Sequence, residues 1–117
     1  MSKLEEFRSY RERMNKRIND IGSLNVKRFF ALDSAVYRDG YLPRKTKEML
    51  GLVASLVLRC DDCVSYHIVA GLESGVTRDE MMECMEVALI VGGSIVIPHM
   101  RRAVELMDEL FEEGTYG

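Results

Sequence analysis

The chain has 117 residues, of which 47% are hydrophobic and 30% charged, with no tryptophan. That is the size of one domain, here residues 1–117, and the balance of a globular chain and not a disordered one. Sixteen basic residues against nineteen acidic ones give a net charge of -3, which argues against a nucleic-acid-binding face, and the apolar runs are too interrupted to span a membrane.

The opening MSKLEEFRSYRERMNK has no apolar signal core. The three cysteines are therefore expected as thiols of a cytoplasmic protein and not as a disulfide framework. The punctuation predicts an all-α fold of about six helices. Ser2 and Glu5 form a capping box for a first helix reaching about Asn19, with Leu4, Phe7, Tyr10, Met14 and Ile18 on one stripe. Gly22 ends it. Ser23 is placed to cap a second helix from Leu24 to about Arg38, whose stripe is Val26, Phe29, Phe30, Ala31, Val36 and Tyr37. Pro43 suits the first turn of a third helix running to about Leu58, and Arg59-Cys60 lead into a fourth that ends between Gly71 and Gly75. Thr77 and Glu80 form a second capping box for a fifth helix, Arg78 to about Val91. After Gly92-Gly93, Ser94 starts a sixth that ends near Glu113.

The third and fifth helices are apolar around their central turns. A helix without a polar face must be covered on every side, and a domain this small has little with which to cover two of them. A homo-oligomer is the expected solution.

The chemistry concentrates in Arg59-Cys60-Asp61-Asp62-Cys63-Val64-Ser65-Tyr66-His67. On a helix, Cys60 and Cys63 share a face and His67 follows Cys63 by one turn. The helix N-terminus favours thiolate, and an imidazole one turn away is placed to take the Cys63 proton. Asp61 and Asp62 act against this, since negative charge beside a sulfur raises the thiol pKa. The same spacing also fits half of a zinc site, with Cys84, His99 or Glu48 recruited by the fold, or two structural cysteines buried as small apolar residues. Haem attachment is excluded because Val64, not histidine, follows the second cysteine.

Glu48, eleven residues, Cys60, two residues, Cys63, three residues, His67 resembles the signature of the AhpD-like, carboxymuconolactone decarboxylase family. The likeness extends over about residues 40–110, through Ala70-Gly71-Leu72, Gly75-Val76-Thr77, Gly92-Gly93 and His99. The resemblance implies an AhpD-like helical bundle that assembles as a trimer or hexamer, without a cofactor or metal. It implies a thiol peroxidase or disulfide reductase, recycled by an external dithiol donor such as a thioredoxin-like or lipoyl protein. Carried over, Cys63 attacks peroxide, Cys60 resolves the sulfenic acid, and His67, oriented by Glu48 directly or through water, takes the proton of Cys63. Two features differ from relatives. Asp62 stands where the best-understood peroxidase member carries a relay histidine, and the decarboxylase branch lacks the cysteine pair that this chain has. The alternative is a non-catalytic oligomeric scaffold whose cysteines are structural or hold zinc.

Elsewhere, Cys84 among Met81, Met82, Met85 and Val87 reads as core packing, as do the methionines generally. His99 reads as a structural histidine and Arg101-Arg102 as a solvated helix face.

Overall fold

A computed structural model describes residues 2–112. It is all-helical: α1 (Lys3–Ile21), α2 (Leu24–Val36), α3 (Arg44–Leu58), α4 (Asp61–Glu73), α5 (Arg78–Gly92) and α6 (Ile97–Glu112), with one 3₁₀ turn (Ser94–Val96) before α6. Both capping boxes form as the sequence predicts, Ser2 with Glu5 and Thr77 with Glu80. Gly22 closes α1 in the left-handed region at φ 83°, where glycine carries no Cβ penalty.

Three boundaries differ from expectation. Ser23 precedes α2 but its side chain makes no capping hydrogen bond. Pro43 sits at the N-cap of α3 and not inside its first turn. Ser94 opens the 3₁₀ turn, and α6 begins only at Ile97, with Pro98 in the first turn where its missing N–H is harmless. The expected end of α6 near Glu113 lies outside the described residues.

α3 is the centre of the fold, packed on α4 along one side and α5 along the other, while α6 packs on α4 and receives α1. Leu4, Leu52, Leu56, Ile68, Met81, Met85, Met107 and Leu110 fill the core, so the buried methionines are packing residues, as their positions suggested. Of the α1 stripe only Leu4 is fully buried.

α2 departs most from the sequence reading. None of its residues is buried, Phe29 and Leu32 being 67% and 61% exposed. Its apolar stripe has nothing to pack on within this chain. The outer faces of α3 and α5 are bare as well: Leu50, Leu58, Val87, Ile90 and Val91 are exposed, and an open groove of about 880 Å³ runs between the two helices. α1, α2 and α6 thus leave uncovered the surfaces that an all-apolar helix must hide. Among the described residues no helix is long and apolar enough to cross a membrane.

Candidate redox site

The turn between α3 and α4 sets the site. Arg59 adopts φ 61° and ψ 41°, and it is the one non-glycine residue with positive φ among those described. Its N–H bonds Leu56 O at 3.1 Å and the Cys60 N–H bonds Ser55 O at 3.0 Å. These two bonds close α3 as a Schellman turn, usually built on glycine, and reverse the chain within two residues. Holding arginine there costs about 1 kcal/mol. The result delivers Cys60 to the N-cap of α4.

As N-cap, Cys60 accepts the Cys63 N–H on its sulfur at 3.2 Å. The two cysteines are joined as a disulfide, with their Cα atoms 5.2 Å apart. Cys63 is exposed and Cys60 half-buried. The pair thus lies at the positive end of α4, with one sulfur open to an attacking group.

His67 and Glu48 are brought together directly. His67 Nδ1 lies 3.1 Å from Glu48 Oε2, with no intervening water needed. By helical rise alone, Glu48 lies about 17 Å before the turn and His67 about 10 Å after it. Gly51 closes that offset. A Cβ built on Gly51 would lie 2.5 Å from His67 Cε1 and 2.7 Å from Nε2. The imidazole therefore lies flat on the α3 backbone, in the space that a side chain would fill. Glu48, one turn earlier on α3, then reaches it. Glu48 is fully buried, not the solvated charge that its place near a helix start would also allow. Its Oε1 has no hydrogen-bond partner among the described residues. An ionised carboxylate only accepts, so Nδ1 carries the hydrogen and Nε2 is the nitrogen free to gain or lose one.

Two tyrosines enclose the ring. Tyr66 meets it edge-on at 5.2 Å between centroids, and Tyr37 lies at 5.4 Å with its hydroxyl 3.5 Å from Nε2. Burial, then the charge of Glu48, pushes both phenols above their ordinary pKa, so both stay protonated at neutral pH. The sequence reading placed Tyr37 only on the apolar stripe of α2. A tyrosine at a helix end carries no signal of its distant partner.

Asp61 is also less simple than its position suggests. His99 Nδ1 lies 2.7 Å from its Oδ1, and Arg102 Nη1 donates to Oδ2 at 3.1 Å. Both reach across from α6, and the Arg102 guanidinium offsets the charge next to Cys60, leaving exposed Asp62 as the acid that opposes thiolate formation. His99 therefore belongs to the rim of the site, and Arg102 does more than solvate a helix face. Cys84 is remote in role. It lines the α3–α5 groove as a half-buried free thiol, and burial, then Glu80 and Glu83, push its pKa up. Among the described residues no three His, Cys, Asp or Glu side chains converge as a metal site.

Fold and site together define an all-helical protein with a disulfide-forming cysteine pair at a helix N-terminus, backed by a buried histidine–glutamate pair. Residues 25–106 match the carboxymuconolactone decarboxylase family, and the chain belongs to it. Two crystal structures of one Thermotoga maritima protein superpose closely. One has a TM-score of 0.91 at 53% identity, covering 97% of this chain and 99% of that one. The other has a TM-score of 0.88 at 54% identity, covering 94% and 93%, and is described as a family member with a suggested part in the antioxidative response. An apo family member from Legionella pneumophila shares the fold, with a TM-score of 0.81 at 24% identity over 93% of this chain and 97% of that one. Uncharacterized protein 4 of the cox locus of Paracoccus denitrificans is 28% identical over 82 residues, which is 70% of this chain and 74% of that protein.

Proposed function

We propose that this protein is a thiol oxidoreductase that reduces hydroperoxides or disulfides through Cys60 and Cys63. The observation that carries the reading is the disulfide across the first turn of α4, with Cys63 exposed. In the reduced form the Cys63 thiolate attacks the outer oxygen of a hydroperoxide. The O–O bond breaks, the alcohol leaves with a proton from the Cys60 thiol, and Cys63 becomes a sulfenic acid. Cys60 then attacks that sulfur, water leaves, and the disulfide forms. With a disulfide substrate, Cys63 forms a mixed disulfide and Cys60 releases the second thiol. Each cycle consumes two electrons, supplied by an external dithiol such as a thioredoxin-like or lipoyl protein. His67 is the base that takes the proton of Cys63, and Glu48 holds it in the Nδ1–H form. Asp62, in place of the relay histidine of the best-understood peroxidase member, favours disulfides over peroxides as the better substrates.

Free-thiol titration tests this. Reduced protein treated with one equivalent of hydroperoxide or oxidised lipoamide should lose two thiols together, and Cys63→Ser should lose none as an intramolecular bond. Loss of a single thiol, or protection of both cysteines by stoichiometric zinc, would favour the scaffold reading instead.

The bare faces of α3 and α5 support assembly into a trimer or hexamer through further copies of the chain. A stable interface buries about 800 Å² per partner, and the exposed apolar residues of α2, α3 and α5 are the ones such an interface would cover. Light scattering should give a multiple of the 13.4 kDa chain mass, and a charge placed in the groove by Leu50→Glu or Val87→Glu should shift it to the monomer. A monomeric native protein would overturn the assembly.

A further inference from the structure

We propose that Tyr37 is a positioning residue for His67, its hydroxyl holding the Nε2 nitrogen through which the proton of Cys63 is exchanged. The inference rests on the redox reading above and adds a third member to the Glu48–His67 pair.

Three observations carry it. From residue 21 to residue 44 every side chain is exposed except Tyr37, which is half-buried. α2 has no buried residue, so Tyr37 is not drawn inside by the packing of its own helix. It is where this long segment is seated on the body of the molecule, and the seat is the imidazole.

Second, the backbone around Tyr37 is gripped from α3. Lys47 Nζ donates to Val36 O and to Arg38 O, each at 2.7 Å, so one ammonium binds the carbonyls on both sides of Tyr37. The Arg44 N–H adds a bond to Asp39 Oδ1 at 2.7 Å. Lys47 is the immediate neighbour of Glu48. Adjacent residues of α3 therefore fix both partners of His67: Glu48 holds Nδ1 itself, and Lys47 holds the segment that brings the phenol to Nε2.

Third, a hydroxyl suits this nitrogen. Nε2 must be bare before it takes a proton and must carry one afterwards. A carboxylate would pair only with the protonated form and an ammonium only with the bare one. A phenol donates to bare Nε2 and accepts from Nε2–H by rotating one bond. Its raised pKa keeps it a neutral hydroxyl in both states. Bare Nε2 has one lone pair, so the phenol turns off it for the transfer itself; Tyr37 holds the ring before the proton arrives, as donor, and after it arrives, as acceptor.

The test is Tyr37→Phe in the full chain, which keeps the ring and removes only the O–H. Two quantities are read: the ¹⁵N signals of His67 in the oxidised protein, and the rate of disulfide exchange with dithiothreitol. The variant should shift the Nε2 signal toward that of a nitrogen without a hydrogen bond, and slow exchange about five- to tenfold, the loss of one hydrogen bond. Far-ultraviolet circular dichroism should stay unchanged. Lys47→Met, which loosens the segment without touching the phenol, should move the same ¹⁵N signal in the same direction. A variant with the native His67 signals and the native rate overturns the role of Tyr37 alone. A native protein that exchanges no disulfide at all overturns the redox reading, and this role with it.

Discussion

Gly51→Ala is expected to abolish most disulfide exchange in this protein, although the substitution touches neither cysteine. The added Cβ would lie 2.5–2.8 Å from three atoms of the His67 ring. Backbone cannot yield there, so the imidazole must swing out and lose Glu48. The stability terms oppose each other. Alanine gains about 1 kcal/mol of helix propensity over glycine, and overpacking costs about 1–3 kcal/mol. The swing also strands the buried Glu48 carboxylate, a further cost of about 1–3 kcal/mol, so the net loss should be about 1–5 kcal/mol. Loss of a positioned base removes about 10²-fold or more from the rate. The measurement is exchange rate beside thermal melting: a folded protein about a hundredfold slower is the expected result. Exchange within twofold of native would show that the ring does not need this seat.

Glu48→Met is expected to separate activity from stability most clearly. The buried carboxylate has one oxygen bound to His67 and the other without a partner. An unsatisfied buried polar atom costs about 1–3 kcal/mol, and removing the carboxylate relieves that cost. The same change leaves His67 Nδ1 without its acceptor, a cost of similar size. These nearly cancel, so chemical denaturation should place Glu48→Met within about 1 kcal/mol of native. Exchange should nevertheless fall by about 10²–10⁴, since the imidazole loses the contact that orients it. Glu48→Gln keeps an oxygen to accept from Nδ1–H but lacks the charge, and should fall between the two. If Glu48→Met unfolds the protein while Glu48→Gln exchanges at the native rate, Glu48 is structural only.

Much of this fold was legible because its signals are local. A capping box is a four-residue event, so Ser2 with Glu5 and Thr77 with Glu80 could be read from sequence and are found formed. The cysteine spacing placed both sulfurs in one helical turn, and the disulfide agrees with that placement. What could not be read is tertiary. Arg59 takes a backbone conformation that sequence rules assign to glycine, and only the hairpin around it accounts for the choice. The contacts of Asp61 with His99 and Arg102 join residues 38 and 41 positions apart, so they look like unrelated surface charges. The stripe of α2 was legible as an apolar face, but its exposure within the chain was not, because periodicity does not report what covers a face. Glu48 was legible as a member of a motif, yet its burial and its direct contact with His67 depend on Gly51, a residue whose contribution is an absent side chain.

The left-handed turn at Arg59 also bears on the redox cycle proposed above. The amide of Cys60 is tied to Ser55 O and that of Cys63 to the sulfur of Cys60, and the carbonyl of Cys60 accepts from Val64 at 2.9 Å. Of these, the ties of the Cys60 amide and carbonyl involve no sulfur. The 5.2 Å separation of the two Cα atoms is thereby held by backbone bonds of the hairpin as well as by the sulfurs. In the proposed cycle, gaining or losing two electrons would then need only side-chain rotation, with the scaffold a fixed electrode mount and not a spring to be wound at each turnover.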